Sequence, residues 1–289
     1  MPLRVVGIFI AGAFACAAAQ AARAEPRPGD ACNRAAFRAV IDVGHTAQAP
    51  GATSARGFPE FSFNLVLAKR IEQQLLAAGF RRSVLLITEG RSQKALAERV
   101  RRANALGADL FLSIHHDSVP DRFLEKWEFE GQQHTFSDRF HGHSIFISND
   151  NSDRAGSLLF ARLLGTELQK RGLQYTPHYT ERYMGHRQRL LVDSRAGVYR
   201  YDELIVLRDT EMPAVLLEAG SIINREEELQ MGSVERQTRI SAAVTDAVEA
   251  FCAARRPRIP INVANRAGKT STQATAPAAA APGQAIKQR

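Results

Sequence analysis

Four residues able to handle a metal ion or a proton stand at the ends of apolar runs. His45 follows Val40-Ile41-Asp42-Val43-Gly44, and Glu60 closes a loop carrying Pro50, Gly51 and Gly57. His115 follows Phe111-Leu112-Ser113-Ile114, and Glu218 follows Pro213-Ala214-Val215-Leu216-Leu217. Two imidazoles and one carboxylate form the donor set of a catalytic zinc, with the fourth coordination position left open. Zinc held in this way acidifies water and polarises a carbonyl. Glu218 ends an otherwise apolar run, where an unpaired carboxylate is costly to bury. Beside a metal it has a use: it can take a proton from attacking water and pass it to a leaving amine.

The elements that must position these residues are read from hydrophobic patterning. Short apolar runs at 37–43, 84–88, 110–114, 144–148, 204–207 and 214–217 predict buried strands. Between them lie helical stripes. Leu67, Ile71 and Leu75 precede Gly79, and Leu96, Val100 and Ala103 precede Gly107. Phe160, Leu163, Leu164 and Leu168 precede Gly172, and Ile240, Val244, Val248 and Phe251 mark a last helix. Asn224, with Glu227 three residues on, predicts a helix start with a capping box. Strands alternating with helices predict a single α/β domain with a mostly parallel (mixed) six-stranded sheet and helices on both faces. Ligands of such sheets sit beyond the carboxyl ends of the strands. His45, His115 and Glu218 fall there, and Glu60 returns to that edge at a helix N-terminus.

The chain ends carry different information. Arg4, the uncharged stretch 5–19 and Ala22-Arg23-Ala24 have the layout of a secretory leader, 1–24, with the mature chain starting near Glu25. The apolar stretch is short of the roughly 20 residues of a membrane span. Apart from Cys16, the cysteines are Cys32 and Cys252, flanking the domain at 25–254. An exported protein with termini close together could bond them; two free buried thiols are the alternative. The tail 255–289 holds seven basic and no acidic residues and is rich in Pro, Ala, Thr and Gln, a composition that predicts disorder. Its charge could contact anionic wall polymer or membrane, or the tail could be a solvated tether without a partner. The formal net charge of +8 falls to about −1 once leader and tail are set aside. The folded part is therefore not a nucleic-acid module.

The ordered motifs carry a resemblance. Val40-Ile41-Asp42-Val43-Gly44-His45 with Glu60 comes first, then Leu96-x-x-Arg99, Ala103-Asn104, Ala108-Asp109-Leu110-Phe111 and Ser113-Ile114-His115. The stretch 199–208, Pro213 to Gly220, and Asn224 with Glu226-Glu227 complete the set. Together they resemble the zinc-dependent N-acetylmuramoyl-L-alanine amidases of the amidase_3 family. The resemblance implies that His45, Glu60 and His115 bind Zn²⁺ and that Glu218 is the catalytic acid-base residue. It implies peptidoglycan as substrate, cut between the lactyl group of N-acetylmuramic acid and L-alanine of the stem peptide. Such an enzyme is expected in the periplasm, as a monomer. The family usually has Pro at Val43, Gly at Thr46, a small residue and Asn at His116-Asp117, and Phe-Leu at Ser221-Ile222. The stretch 149–204 is short for a large inserted inhibitory helix.

Further residues have weaker claims. His116 competes with His115 as a ligand, but neighbours on a strand point opposite ways, which favours His115. His134, His141, His143, His178 and His186 could line the substrate groove; surface histidine is the simpler reading. Arg187, Arg189, Arg195 and Arg200 could hold stem-peptide carboxylates or form a solvated loop. Asp42 could orient a ligand histidine or simply end its strand. Trp127 with Phe129 could stack on sugar or anchor its loop. Two other functions use the same residues less completely. Another zinc peptidase acting on stem peptides shares the ligand logic, and a non-catalytic wall-binding protein has no need of Glu218.

Overall fold

The computed structural model describes residues 32–255. The proposed leader 1–24, the mature start at Glu25 and the tail beyond Arg255 lie outside the described residues. Among the described residues nine strands occur in chain order: β1 (Ala39–Val43), β2 (Val84–Leu86), β3 (Leu110–Asp117), β4 (Glu125–Phe129), β5 (Gln132–Phe136), β6 (Ser144–Ile147), β7 (Leu190–Asp193), β8 (Val198–Arg200) and β9 (Ala214–Ser221). Six α-helices accompany them in the same residues: α1 (Glu60–Ala77), α2 (Ser92–Ala105), α3 (Arg154–Lys170), α4 (Ile205–Arg208), α5 (Arg225–Gly232) and α6 (Val234–Ala254). Among the described residues no helix is long and apolar enough to cross a membrane.

Seven strands form one mixed sheet in the order β2-β1-β3-β9-β6-β8-β7, and β4 with β5 makes a separate hairpin. The pairs β1/β2, β1/β3, β3/β9 and β6/β8 are parallel, whereas β6/β9 and β7/β8 are antiparallel. Strand periodicity divides the core in two. Ile41, Val43, Leu112, Ile114, Val215 and Leu217 pack with Leu67, Ile71 and Leu75 of α1, Phe160 and Leu164 of α3, and Val244 and Val248 of α6. Their neighbours Val40, Phe111, Ala214 and Leu216 pack on the other face with Ala103 of α2 and with Val206 and Leu207 of α4. Helices therefore cover both faces of an α/β sheet, as expected.

Two elements differ from the sequence reading. The run 204–207 is not a strand but leads into the short helix α4; a four-residue apolar run does not separate helix from strand by period alone. The sheet gains β7 and β8 in its place, which gives seven strands rather than six. Both are short: β7 offers only the apolar run Leu190-Leu191-Val192 and β8 only Val198-Tyr199, too few residues for a strand period to show.

Asn224 caps α5, accepting from the backbone N–H of Glu226 (3.1 Å) and Glu227 (2.9 Å). The Glu227 carboxylate does not complete a capping box. It accepts from the N–H groups of Gly142 and Ser221, each at 2.9 Å, and pairs with Arg236 at 2.9 Å. It thereby fastens β9 and the start of β6 to α6. Cys32 and Cys252 are disulfide-bonded, with their Cα atoms 5.1 Å apart.

Candidate metal centre

Side-chain alternation decides what reaches the site. Val40 and Asp42 of β1, Phe111, Ser113 and His115 of β3, and Leu216 and Glu218 of β9 all share the α2 and α4 side of the sheet. His116 points the opposite way, toward α1, where its Nδ1 lies 2.7 Å from Asn64 Oδ1. Burial lowers the His116 pKa to about 3, so its imidazole is neutral. It supports α1 and stands apart from the three-residue cluster.

His45, Glu60 and His115 converge. One ligand atom of each lies within 4.8 Å of the others. Glu60 Oε2 is 2.9 Å from His45 Nε2, and Glu60 Oε1 is 3.0 Å from His115 Nδ1. Glu60 is the first residue of α1 and is buried. Its carboxylate also accepts from Asn64 Nδ2 (3.1 Å), the Ala52 N–H (3.1 Å) and the His116 N–H (3.3 Å). Burial works against its ionisation, but His115 and His45 outweigh that and hold its pKa well below the ordinary carboxylate range. Two glycines make room. A Cβ on Gly44 would meet the His115 ring at 2.4 Å, and one on Gly51 (φ +84°) would meet Glu60 Oε2 at 2.4 Å.

The loop that carries His45 is braced from beneath. His45 adopts φ +64°, a left-handed conformation uncommon for a non-glycine residue. Arg99 of α2 donates to its backbone carbonyl. Arg99 also lies 3.5 Å from the buried Asp42 carboxylate, which accepts from Ser113 Oγ at 2.7 Å. Asp42 therefore acts on the site through Arg99, which holds the His45 backbone. Thr46 takes up a structural task of its own, donating to Gly90 O (2.7 Å) and accepting from the Ala49 N–H (2.9 Å).

Glu218 pairs in register with His115 across β3 and β9. With His45 and His115 it borders a cavity of about 340 Å³ that Tyr179, Arg187, Arg189 and Tyr201 also line. Glu218 Oε2 is buried and accepts no hydrogen bond. Burial, joined by the charges of Asp117 and Glu60 and opposed by Arg187, raises its pKa well above the carboxylate range. A carboxyl tuned toward neutrality suits a group that must both accept and release a proton. Beyond it, Asp117 accepts from Tyr179 OH (2.8 Å) and Arg187 Nη2 (3.0 Å).

A family model described as N-acetylmuramoyl-L-alanine amidase matches residues 39–250. The chain belongs to this amidase family. An N-acetylmuramoyl-L-alanine amidase of Mycobacterium tuberculosis is 24% identical over 211 residues, covering 71% of this chain and 74% of the relative. The amidase AmiA of Escherichia coli is 24% identical over 223 residues, covering 73% and 75%. Among solved structures, the amidase Ami1 of Mycobacterium smegmatis superposes with a TM-score of 0.58 at 19% identity, over 77% of this chain and 99% of that one. The catalytic domain of the amidase CwlV from Bacillus (Paenibacillus) polymyxa gives 0.54 at 25% identity, over 74% and 97%. The amidase fold is thus shared across the catalytic region.

The amidase donor set fits zinc by its chemistry: two imidazoles, one ionised carboxylate and a neighbouring unpartnered carboxyl oxygen. The remaining candidates separate. His141 and His186 are exposed, as expected for surface histidine, but His143 and His178 are buried. Trp127 donates to Ala55 O at 2.9 Å and packs under Arg56 and Arg225, so it anchors its hairpin. Of the four arginines only Arg187 and Arg189 line the cavity; Arg195 is exposed and Arg200 pairs with Asp202. Asn64, Tyr179 and the bracing role of Arg99 were not foreseen. Asn64 had a signal, one helical turn after Glu60, and so did Asp117, two strand residues after His115.

Proposed function

We propose that the chain is an exported, zinc-dependent N-acetylmuramoyl-L-alanine amidase. It hydrolyses the amide between the lactyl group of N-acetylmuramic acid and L-alanine of the peptidoglycan stem peptide, in the periplasm. The convergence of His45, Glu60 and His115 beside Glu218 carries this reading, and membership of the amidase family names the bond. His45, Glu60 and His115 would hold Zn²⁺, which supplies Lewis acidity toward the amide carbonyl. Glu218 takes the proton of the attacking water and delivers it to the amine that leaves. Asp117 and Arg187 set the charge around Glu218, and Arg99 keeps the His45 loop in place. All four site residues come from one chain, so a monomer is sufficient. The disulfide supports an oxidising compartment, in line with a leader at 1–24.

Digestion of purified peptidoglycan tests the proposal. The expected products are intact stem peptides with a free L-alanine amino terminus. Glu218→Gln is expected to keep its zinc and lose about 10²- to 10⁴-fold in rate, the usual worth of a general acid-base group. Cleavage within the stem peptide would instead support the zinc peptidase reading. Undiminished hydrolysis by Glu218→Gln would remove Glu218 from the mechanism.

A further inference from the structure

The cavity beside Glu218 holds more positive charge than water activation requires. Arg187 and Arg189 both enter it, from the segment that turns at Gly185 with φ +58°. Arg187 is partly balanced: its Nη2 lies 3.0 Å from Asp117 Oδ1 and 3.1 Å from Tyr179 OH. Arg189 is held differently. Its guanidinium sits 3.9 Å from the centre of the Tyr201 ring, and its Nη1 donates to the carbonyls of His186 (2.7 Å) and Gln188 (2.9 Å). Among the described residues no carboxylate lies within ion-pair distance of Arg189, and its buried Nε has no hydrogen-bond partner. A planar donor fork fixed by stacking and by two carbonyls, with N–H groups to spare, is preorganised for an anion.

Resting on the amidase reading, we propose that Arg189, assisted by Arg187, forms a carboxylate subsite that recognises a free carboxylate on the leaving peptide. Substrate chemistry fixes the side of the bond. The muramoyl half offers hydroxyl, acetamido and lactyl groups, all neutral, whereas the peptide half carries carboxylates. Glu218 delivers its proton to the leaving amine, so the leaving peptide occupies the cavity that Glu218 borders, which is where Arg189 stands. A second cavity of about 270 Å³ also borders His45 and His115, but its lining is mostly apolar. Its only cation, Arg99, is engaged with Asp42 and the His45 carbonyl.

Two soluble substrates test the subsite: N-acetylmuramoyl-L-alanyl-D-glutamate and its bis-carboxamide, assayed with the mature, zinc-loaded protein, residues 25–289. A charge-assisted contact of the usual strength corresponds to a preference of roughly ten- to a hundredfold in kcat/KM for the dicarboxylate. That preference should reside in KM. Arg189→Met is expected to bring the ratio close to one at unchanged zinc content, and Arg189→Lys to retain part of it. No preference in the wild type, or a preference that survives in Arg189→Met, overturns the subsite. If the wild type cleaves neither substrate, the amidase reading fails by itself. Calorimetric binding of L-alanyl-D-glutamate and its bis-carboxamide to wild type and Arg189→Met then decides the subsite separately, with selective, Arg189-dependent binding expected and unselective binding overturning it.

Discussion

His45, a proposed ligand, is held through its backbone as well as through its ring. A non-glycine residue in the left-handed region costs of order 1–3 kcal/mol and persists only where its surroundings enforce it. Here the enforcement comes from Arg99, itself kept in place by Asp42. Lysine preserves the charge but not the planar fork that reaches carboxylate and carbonyl together. Arg99→Lys is therefore expected to weaken zinc binding about 10- to 100-fold, the usual cost of losing a supporting contact behind a metal ligand. Chelator competition measures this directly. Unchanged zinc affinity in a variant that merely melts earlier would assign Arg99 to the core alone.

At the scale of elements, the strand period was the informative quantity. The β1, β3 and β9 runs are strongly apolar, so their ends could be placed, and alternation was enough to favour His115 over His116. Alternation says nothing about loops. The segment 174–190 has no sustained period, so the positions of Tyr179, Arg187 and Arg189 became visible only in three dimensions. The hairpin β7–β8 escaped because its strands are only four and three residues long. His143, just before β6, was equally opaque: it borders the apolar run 144–148, but a histidine at the edge of a run can face either water or the core. Burial, with a smaller push from the Arg236 charge, lowers its pKa from the ordinary 6.5 to about 4. Between these values the unfolded chain binds the proton and the folded one does not. Stability from the neutral form is thus present above pH 6.5 and is lost as the pH falls toward 4, on the order of 3 kcal/mol in all. Urea unfolding at pH 7 and pH 5 should show this decline in the wild type and a smaller one in His143→Gln. Equal declines would mean that His143 does not titrate in this way.

Among the described residues one covalent link closes the domain. The bond between Cys32 and Cys252 joins residues 220 apart, ahead of β1 and near the end of α6, so it constrains most of the unfolded chain. Loss of a native disulfide costs about 2–5 kcal/mol. Cys252→Ser is expected to lower stability within that range while zinc binding persists, as compared by thermal unfolding with and without metal. A melting temperature equal to wild type would show that the link adds nothing.

In the proposed site one metal ion would sit among three side chains drawn from distant parts of the chain, next to Glu218. Anomalous diffraction at the zinc edge tests it most directly. A single peak is expected about 2.0–2.2 Å from a nitrogen of His45, a nitrogen of His115 and an oxygen of Glu60, with Glu218 bordering the open side. A zinc peak bound by His116 or by other residues, with His45, Glu60 and His115 unliganded, would contradict it.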